Sequence, residues 1–232
     1  LIKEHSLSIK GLLKENGPTT TKTRIMAGHH QIARVDEEQE SHGPSEANIK
    51  KVMQYISSDL SCIVISDYNK GFLSAPFLKK IIQQANRKKI PILIDPKGKD
   101  VAKYAGATLI TPNKKEAMEL TGLIKFDKDL LNTALRKISK NFNINSIVMT
   151  QGEDGISHIM SNKINTYPTS ISKQVYDVSG AGDTVIAALA CGISAKLDLS
   201  DSFKLANLAA GIVISKLGTV PIKGEELLDE LE

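Results

Sequence analysis

Residues 62–95 read CIVISDYNKGFLSAPFLKKIIQQANRKKIPILID. Cys62–Ser66 is a short β-branched run, the mark of a strand. Pro76 sits where a first helical turn tolerates it, and Phe77, Leu78, Ile81, Ile82 and Ala85 follow at helical spacing. Pro91–Asp95 is a second strand-like run. Neither run alternates apolar with polar residues. Strands written as continuous apolar runs and separated by helices imply a mostly parallel sheet covered on both faces, an α/β fold.

The same rhythm continues downstream. Thr108–Thr111 reads as a strand, followed by helices over Lys114–Thr121 and Asp127–Asn141, the second with Leu130, Leu131, Leu135 and Ile138 on one face. Ser146–Thr150 is another strand, and Gly155–Met160 with Lys163–Tyr167 forms a hairpin. Helices over Gly182–Ala195 and Ser200–Lys216 complete a core that runs from about residue 60 to 232. Upstream, Thr19–Met26 and Gln31–Asp36 alternate polar and apolar around Gly28, which predicts an antiparallel hairpin lying outside the main sheet. Glu37–Glu46 reads as a surface loop, and residues 1–232 as a single domain.

Composition narrows the function. With 41% hydrophobic and 24% charged residues, the 232-residue chain is an ordinary globular sequence, which excludes disorder and low-complexity polymers. No apolar run approaches the roughly 18 residues of a membrane span. The net charge of +4 is scattered, with no basic stripe interleaved with aromatics and no Trp, so nucleic acid is not an expected partner. Cys62 and Cys191 each sit in apolar runs and read as small buried hydrophobes, not a disulfide or a metal pair. His29, His30 and His42 fall at no zinc spacing. No signal-peptide pattern opens the chain, and a cytoplasmic location is expected.

Three segments carry chemistry. Asp177-Val178-Ser179-Gly180-Ala181-Gly182-Asp183-Thr184 leads straight into an apolar helix. Its glycines let backbone amides approach an anion, and the helix N-terminus behind them supplies unpaired N–H groups. Asp183, in the first turn, either takes a proton from an attacking hydroxyl or merely caps the helix. Thr111-Pro112-Asn113-Lys114-Lys115-Glu116 follows a strand, where open α/β sheets bind ligands. Asn113 and Glu116 there suit either a ligand with hydrated Mg²⁺ or a plain capping box. Thr150-Gln151-Gly152-Glu153-Asp154-Gly155 suits a phosphate, a base or a simple turn. In addition, Ser66–Gly71 and Asp95–Gly98 each place a Lys beside a Gly after a strand, as a compact charge for phosphate or as a solvated loop lysine.

Together these segments resemble the ribokinase-like (PfkB) sugar kinases. Gly180–Asp183, preceded by Asp177, is similar to that family's C-terminal signature, and Thr111–Glu116 and Thr150–Gly155 match further motifs in the family's order. Pro18–Arg24, Ser66–Gly71, Asp95–Gly98 and Val175–Thr184 look like the branch that phosphorylates D-glycero-D-manno-heptose 7-phosphate. The resemblance covers essentially the whole chain, with Ser179 in place of a commonly seen Thr.

The resemblance implies a three-layer sandwich with a small β lid at about residues 19–36. It also implies ATP and Mg²⁺ as the nucleotide substrate and cofactor. Asp183 would be the base, with the amides of Gly180, Ala181 and Gly182 around the transferring phosphoryl group. Asn113, Lys114, Lys115 and Glu116 would lie near the ATP phosphates, with Glu116 acting indirectly on Mg²⁺. Thr150 and Gly152 would line the nucleotide site, and Asn207 would border the adenine. Asp177 would serve a monovalent cation such as K⁺. Charge reasoning adds Lys22, Arg24, Lys70 and Lys97 as partners for the sugar's own phosphate. Relative to the family, the first sheet strands, a sugar-binding Asp and a Gly-Gly element are expected to be missing before Leu1. The chain matches a kinase module without a nucleotidyltransferase domain. A homodimer paired through the lid is expected. Another sugar or nucleoside kinase of the family, or an inactive nucleotide-binding module, are the alternatives.

Overall fold

A computed structural model describes residues 8–15, 18–28, 30–38, 41, 43–57, 59–160, 163–168, 180–216, 218 and 220–230. Strands β1 (Thr21–Ala27) and β2 (His30–Glu37) form an antiparallel hairpin separate from the main sheet, with Thr21 opposite Glu37 and a register shift at Ile25/Met26. Every residue of both strands is exposed, Ile25, Ile32 and Val35 included.

The main sheet has six strands in chain order: β3 (Ile63–Ser66), β4 (Ile92–Asp95), β5 (Leu109–Ile110), β6 (Ser146–Thr150), β7 (Ile156–Met160) and β8 (Lys163–Tyr167). β3 to β6 are parallel, while β7 and β8 return antiparallel as the expected hairpin. Helices α2 (Ala75–Arg87), α3 (Lys114–Thr121) and α4 (Lys128–Asn141) join the parallel strands, and α5 (Ala181–Ser194) and α6 (Leu199–Ile214) follow the sheet.

The pleat sorts the core into two layers. Ile92, Ile94, Ile110, Ile147 and Met149 pack with Phe77, Leu78, Ile81 and Ile82 of α2 and Leu131 and Leu135 of α4. Leu93, Leu109 and Val148 point the other way, onto Val185, Ile186 and Leu189 of α5 and Phe203 and Ala206 of α6. The sheet is therefore sandwiched between helices, and the continuous apolar strands are explained by burial on both sides. β3 forms one edge of the sheet, with Val64 43% exposed.

Two helices and two cysteines depart from the sequence reading. Helix α1 (Glu46–Tyr55) starts where the surface loop was expected to end, at Ser45, whose side chain accepts from the Asn48 amide. Helix α7 (Gly224–Asp229) adds a short turn near the end of the chain. Cys191, expected to be buried, is exposed, and Cys62 is only half-buried. Cys191 sits on the side of α5 turned from the sheet, where an evenly apolar helix gives no periodicity to read.

His158 on β7 is buried, 2.5 Å from Ser146 Oγ through Nε2, with its ring centroid 4.3 Å from that of Phe203 at a 46° tilt. Burial holds its pKa below the ordinary 6.5. Below pH 6.5 the unfolded chain takes up a proton that the folded imidazole resists, so stability falls as pH falls. Thermal melts of the wild type and His158→Gln between about pH 7 and 5 test this: the wild type is expected to lose more melting temperature on acidification. Parallel pH slopes would contradict it.

Candidate functional site

The parallel strands deliver four loops to one edge of the sheet, at the carboxyl ends of β3, β4, β5 and β6. The β5 and β6 loops are tied together: the Thr150 amide donates to Pro112 O at 3.1 Å, and Asn113 bridges Thr150 in parallel register. α3 begins here with a capping box. Asn113 Oδ1 accepts from the Glu116 amide, and Glu116 Oε2 accepts from the Asn113 amide, both at 2.9 Å. The structural reading of this motif is thus realised. Glu116 has a second task as well, since its Oε1 accepts from Lys97 Nζ at 2.8 Å while its side chain is only 8% exposed.

The amino end of α5 meets this edge. Gly180 is its N-cap, with φ +81° in the left-handed region that a Cβ would strain. Gly180 O accepts from both the amide and the hydroxyl of Thr184. The amides of the first turn have no partner within the helix, so they offer donors and a positive dipole to an anion. A Cβ built on Gly182 meets nothing within 4 Å, so this approach is open.

A cavity of about 570 Å³ lies in front of these amides. Asn113, Lys114, Lys115, Thr150, Gly152 and Asn207 line it, together with Ala181 and Gly182. The structure therefore gathers eight of the sequence-predicted residues around one space. Asn207 is buried and donates through Nδ2 to Pro168 O at 2.6 Å, which fixes its amide at the cavity wall. Lys114 reaches Asp154 at 3.5 Å and lies 4.4 Å from the centroid of the Phe126 ring.

Asp183 and Gly180 line a second cavity of about 550 Å³, whose other walls are mainly apolar, including Ala187, Cys191, Val213 and Ile222. The first turn of α5 thus borders two spaces, with Ala181 and Gly182 on one and Asp183 on the other.

The four proposed sugar-phosphate cations are divided. Lys22 Nζ donates to Asp36 and to Glu38, each at 3.0 Å, and Lys70 pairs with the same Glu38. Glu38 therefore ties the hairpin to the loop after β3. Arg24 shares a strand face with Lys22 and stands opposite Arg34. Lys97 joins Glu116 instead, a donor contact that raises its pKa further above the ordinary lysine value. Asp177 lies outside the described residues.

Two carboxylates escaped the sequence reading as site groups. Asp95 ends β4, and its pKa is pushed up to about 7, first by burial and then by the charges of Glu116 and Asp183. Asp67, just beyond β3, is 5% exposed. Their signal was position: each is the first acidic residue at a strand's carboxyl end. Asp95 offers a hard oxygen donor near Glu116 and Asp183, whose charges act on it. Among the described residues no three such side chains stand close enough to hold a metal unaided. That donor set suits Mg²⁺, which binds through one or two carboxylates and completes its shell with water and substrate phosphates.

A helix N-terminus facing loops at the carboxyl ends of parallel strands is an arrangement that suits an anion on an α/β fold. Comparison makes the class particular. The profile of the pfkB family carbohydrate kinases matches residues 1–223, and the chain belongs to that family. It is 41% identical over 218 residues to the bifunctional protein HldE of Methylobacillus flagellatus, covering 93% of this chain and 44% of that protein. It is 41% identical over 234 residues to HldE of Wolinella succinogenes, covering 99% and 49%. The chain thus spans about half the length of these relatives. Among solved structures, ribokinase from Giardia lamblia superposes with a TM-score of 0.76 at 19% identity, over 99% of this chain and 76% of that one. Phosphofructokinase-2 from Escherichia coli in complex with potassium gives 0.72 at 16% identity, over 85% and 65%. The fold is ribokinase-like. No helix among the described residues is long and apolar enough to cross a membrane.

Proposed function

We propose that this chain transfers the γ-phosphoryl group of ATP to the anomeric hydroxyl of D-glycero-D-manno-heptose 7-phosphate, giving the 1,7-bisphosphate. It would act in the cytoplasm as the kinase module of ADP-heptose synthesis for the lipopolysaccharide core. The observation that carries the proposal is the first turn of α5, which sets the open amides of Ala181 and Gly182 on the cavity lined by Asn113 and Thr150, and Asp183 beside them. Similarity to the HldE proteins supports the choice of sugar.

The chemistry follows from that arrangement. ATP lies in the first cavity, with its base end toward Asn207 and its γ-phosphate at the α5 amides. Asp183 accepts the proton of the anomeric hydroxyl as its oxygen forms a bond to γ-phosphorus, and the bond to the β,γ-bridging oxygen breaks to release ADP. The amides of Gly180, Ala181 and Gly182 stabilise charge on the transferring group without reorganising. Asp95 would hold Mg²⁺, with Glu116 acting on it indirectly because both of its oxygens already accept from protein donors; when bound, the ion would neutralise phosphate charge. Asp177 is proposed for a monovalent cation, in keeping with the potassium complex of phosphofructokinase-2. Lys22, Arg24, Lys70 and Lys97 are assigned to the sugar's 7-phosphate. We further propose a homodimer through the exposed apolar hairpin residues, with a monomer by light scattering as the contrary result.

A panel of sugars with and without phosphate, assayed for ADP release, tests the substrate. Heptose 7-phosphate is expected to exceed unphosphorylated heptose, ribose and hexose phosphates by at least about 10-fold in kcat/KM, about what one charge-assisted contact contributes. A preference for an unphosphorylated sugar would overturn the assignment. ATP binding by calorimetry with no transfer to any sugar would indicate a nucleotide-binding module instead.

A further inference from the structure

Behind the lysine-bearing loops lies a buried polar network that takes no part in the mechanism above. Tyr104 closes the 3₁₀ turn Val101–Tyr104 after β4 and is fully buried. Its hydroxyl donates to Asp67 Oδ2 at 2.7 Å and accepts from the Lys97 amide at 2.9 Å. Burial lifts the phenol far above its ordinary pKa, so it remains a donor. Lys103 Nζ lies 2.7 Å from Asp67 Oδ2, with the two side chains 7% and 3% exposed. Asp67 Oδ1 accepts from the Asn69 amide at 2.7 Å, and Lys103 reaches Asn69 Oδ1 at 3.3 Å.

These bonds join two loops that share no backbone ladder beyond the strand ends. Asn69 is held at φ +54°, an uncommon conformation for a residue with a Cβ, by the contacts just named. Gly98, at φ +81°, lies against the Asn69 amide, where a Cβ would come within 3.2 Å. Lys70 follows Asn69, and Lys97 precedes Gly98. One phenol thus links the segment presenting Lys70 to the segment presenting Lys97, and a buried ion pair keeps its acceptor in place. A salt bridge this deep contributes little net stability compared with apolar packing, so its service to the fold alone is modest.

We infer that Tyr104 is a positioning residue: its hydroxyl, shared between Asp67 and the Lys97 amide, sets the spacing of the loops bearing Lys70 and Lys97 and so the affinity for the phosphate of a phosphorylated sugar. The inference rests on the reading that those lysines hold that phosphate. The cavity proposed for ATP includes none of the network residues; the one link toward it is the Lys97 side chain on Glu116, and Tyr104 touches only the Lys97 backbone, so nucleotide affinity is separable from the phenol.

Tyr104→Phe keeps the ring and its packing and removes only the hydroxyl. The KM for heptose 7-phosphate is expected to rise roughly 3- to 10-fold, the worth of one hydrogen bond, with the KM for MgATP and kcat within about 2-fold of wild type. Inorganic phosphate, tested as a competitor of the sugar phosphate, should weaken by the same factor. An unchanged KM and inhibition constant would overturn the inference while leaving the kinase reading intact. So would an equal loss for both substrates accompanied by a lower melting temperature, which marks a general structural role. A wild-type chain inactive on every phosphorylated sugar would overturn both.

Discussion

Asp183→Asn is expected to lower turnover by about 10²–10⁴-fold, the usual contribution of a general base, with ATP affinity nearly unchanged. The substitution keeps the shape and the position in the first turn of α5. It removes the proposed proton acceptor and nothing that lines the cavity proposed for ATP, because Asp183 borders the second space. It carries an independent signature. Asp183 is one of the charges that raise the Asp95 pKa to about 7, so a neutral residue there lets Asp95 titrate lower, toward the ordinary carboxylate range. An ADP-release assay with calorimetric ATP binding separates the two effects. Near-normal turnover would remove Asp183 from the chemistry and leave it as a first-turn helix residue.

Gly182→Ala is the second large effect, and it should divide activity from stability. A methyl group at this position meets nothing within 4 Å in the protein itself. Ala is also the better helix former, by up to about 1 kcal/mol in a helix interior. The variant should therefore melt at or above the wild-type temperature. The same methyl group would stand beside the amide proposed to face the γ-phosphate and would push the phosphoryl group off its donors. Turnover is expected to fall by about 10²-fold, the scale of one lost oxyanion donor. A variant that is stable and fully active would show that the phosphoryl group does not approach this turn.

The layers of the sheet were legible because burial on both faces leaves a plain trace: the runs at 62–66 and 91–95 carry no polar alternation, and α2 between them keeps helical spacing. The amino end of α5 was legible because Gly180 and Gly182 stand just ahead of Asp183 where an apolar helix begins. Helix α1 leaves a shorter trace: Ile49, Val52 and Met53 stand at helical spacing behind the Ser45 cap, but over only ten residues that open from a polar stretch. The exposure of Cys191 was hidden by the uniformly apolar sequence of α5. The motif at Asn113–Glu116 was ambiguous for a physical reason: the capping box and the site share the same two side chains, because Glu116 uses one oxygen for the Asn113 amide and the other for Lys97. The placement of Lys97 at Glu116 and the network around Tyr104 depend on partners 19 and 37 residues away in the chain. The parallel stacking of β3, β4 and β5 brings these together, and no local pattern encodes it.

The most direct measurement is phosphorus NMR of the chain with MgATP and D-glycero-D-manno-heptose 7-phosphate, run beside Asp183→Asn. A new anomeric phosphate resonance, formed in step with ADP by the wild type and absent from the variant over the same period, is the expected result. ADP without the sugar bisphosphate, or the same product at the same rate from both proteins, would contradict phosphoryl transfer to the sugar with Asp183 as its base.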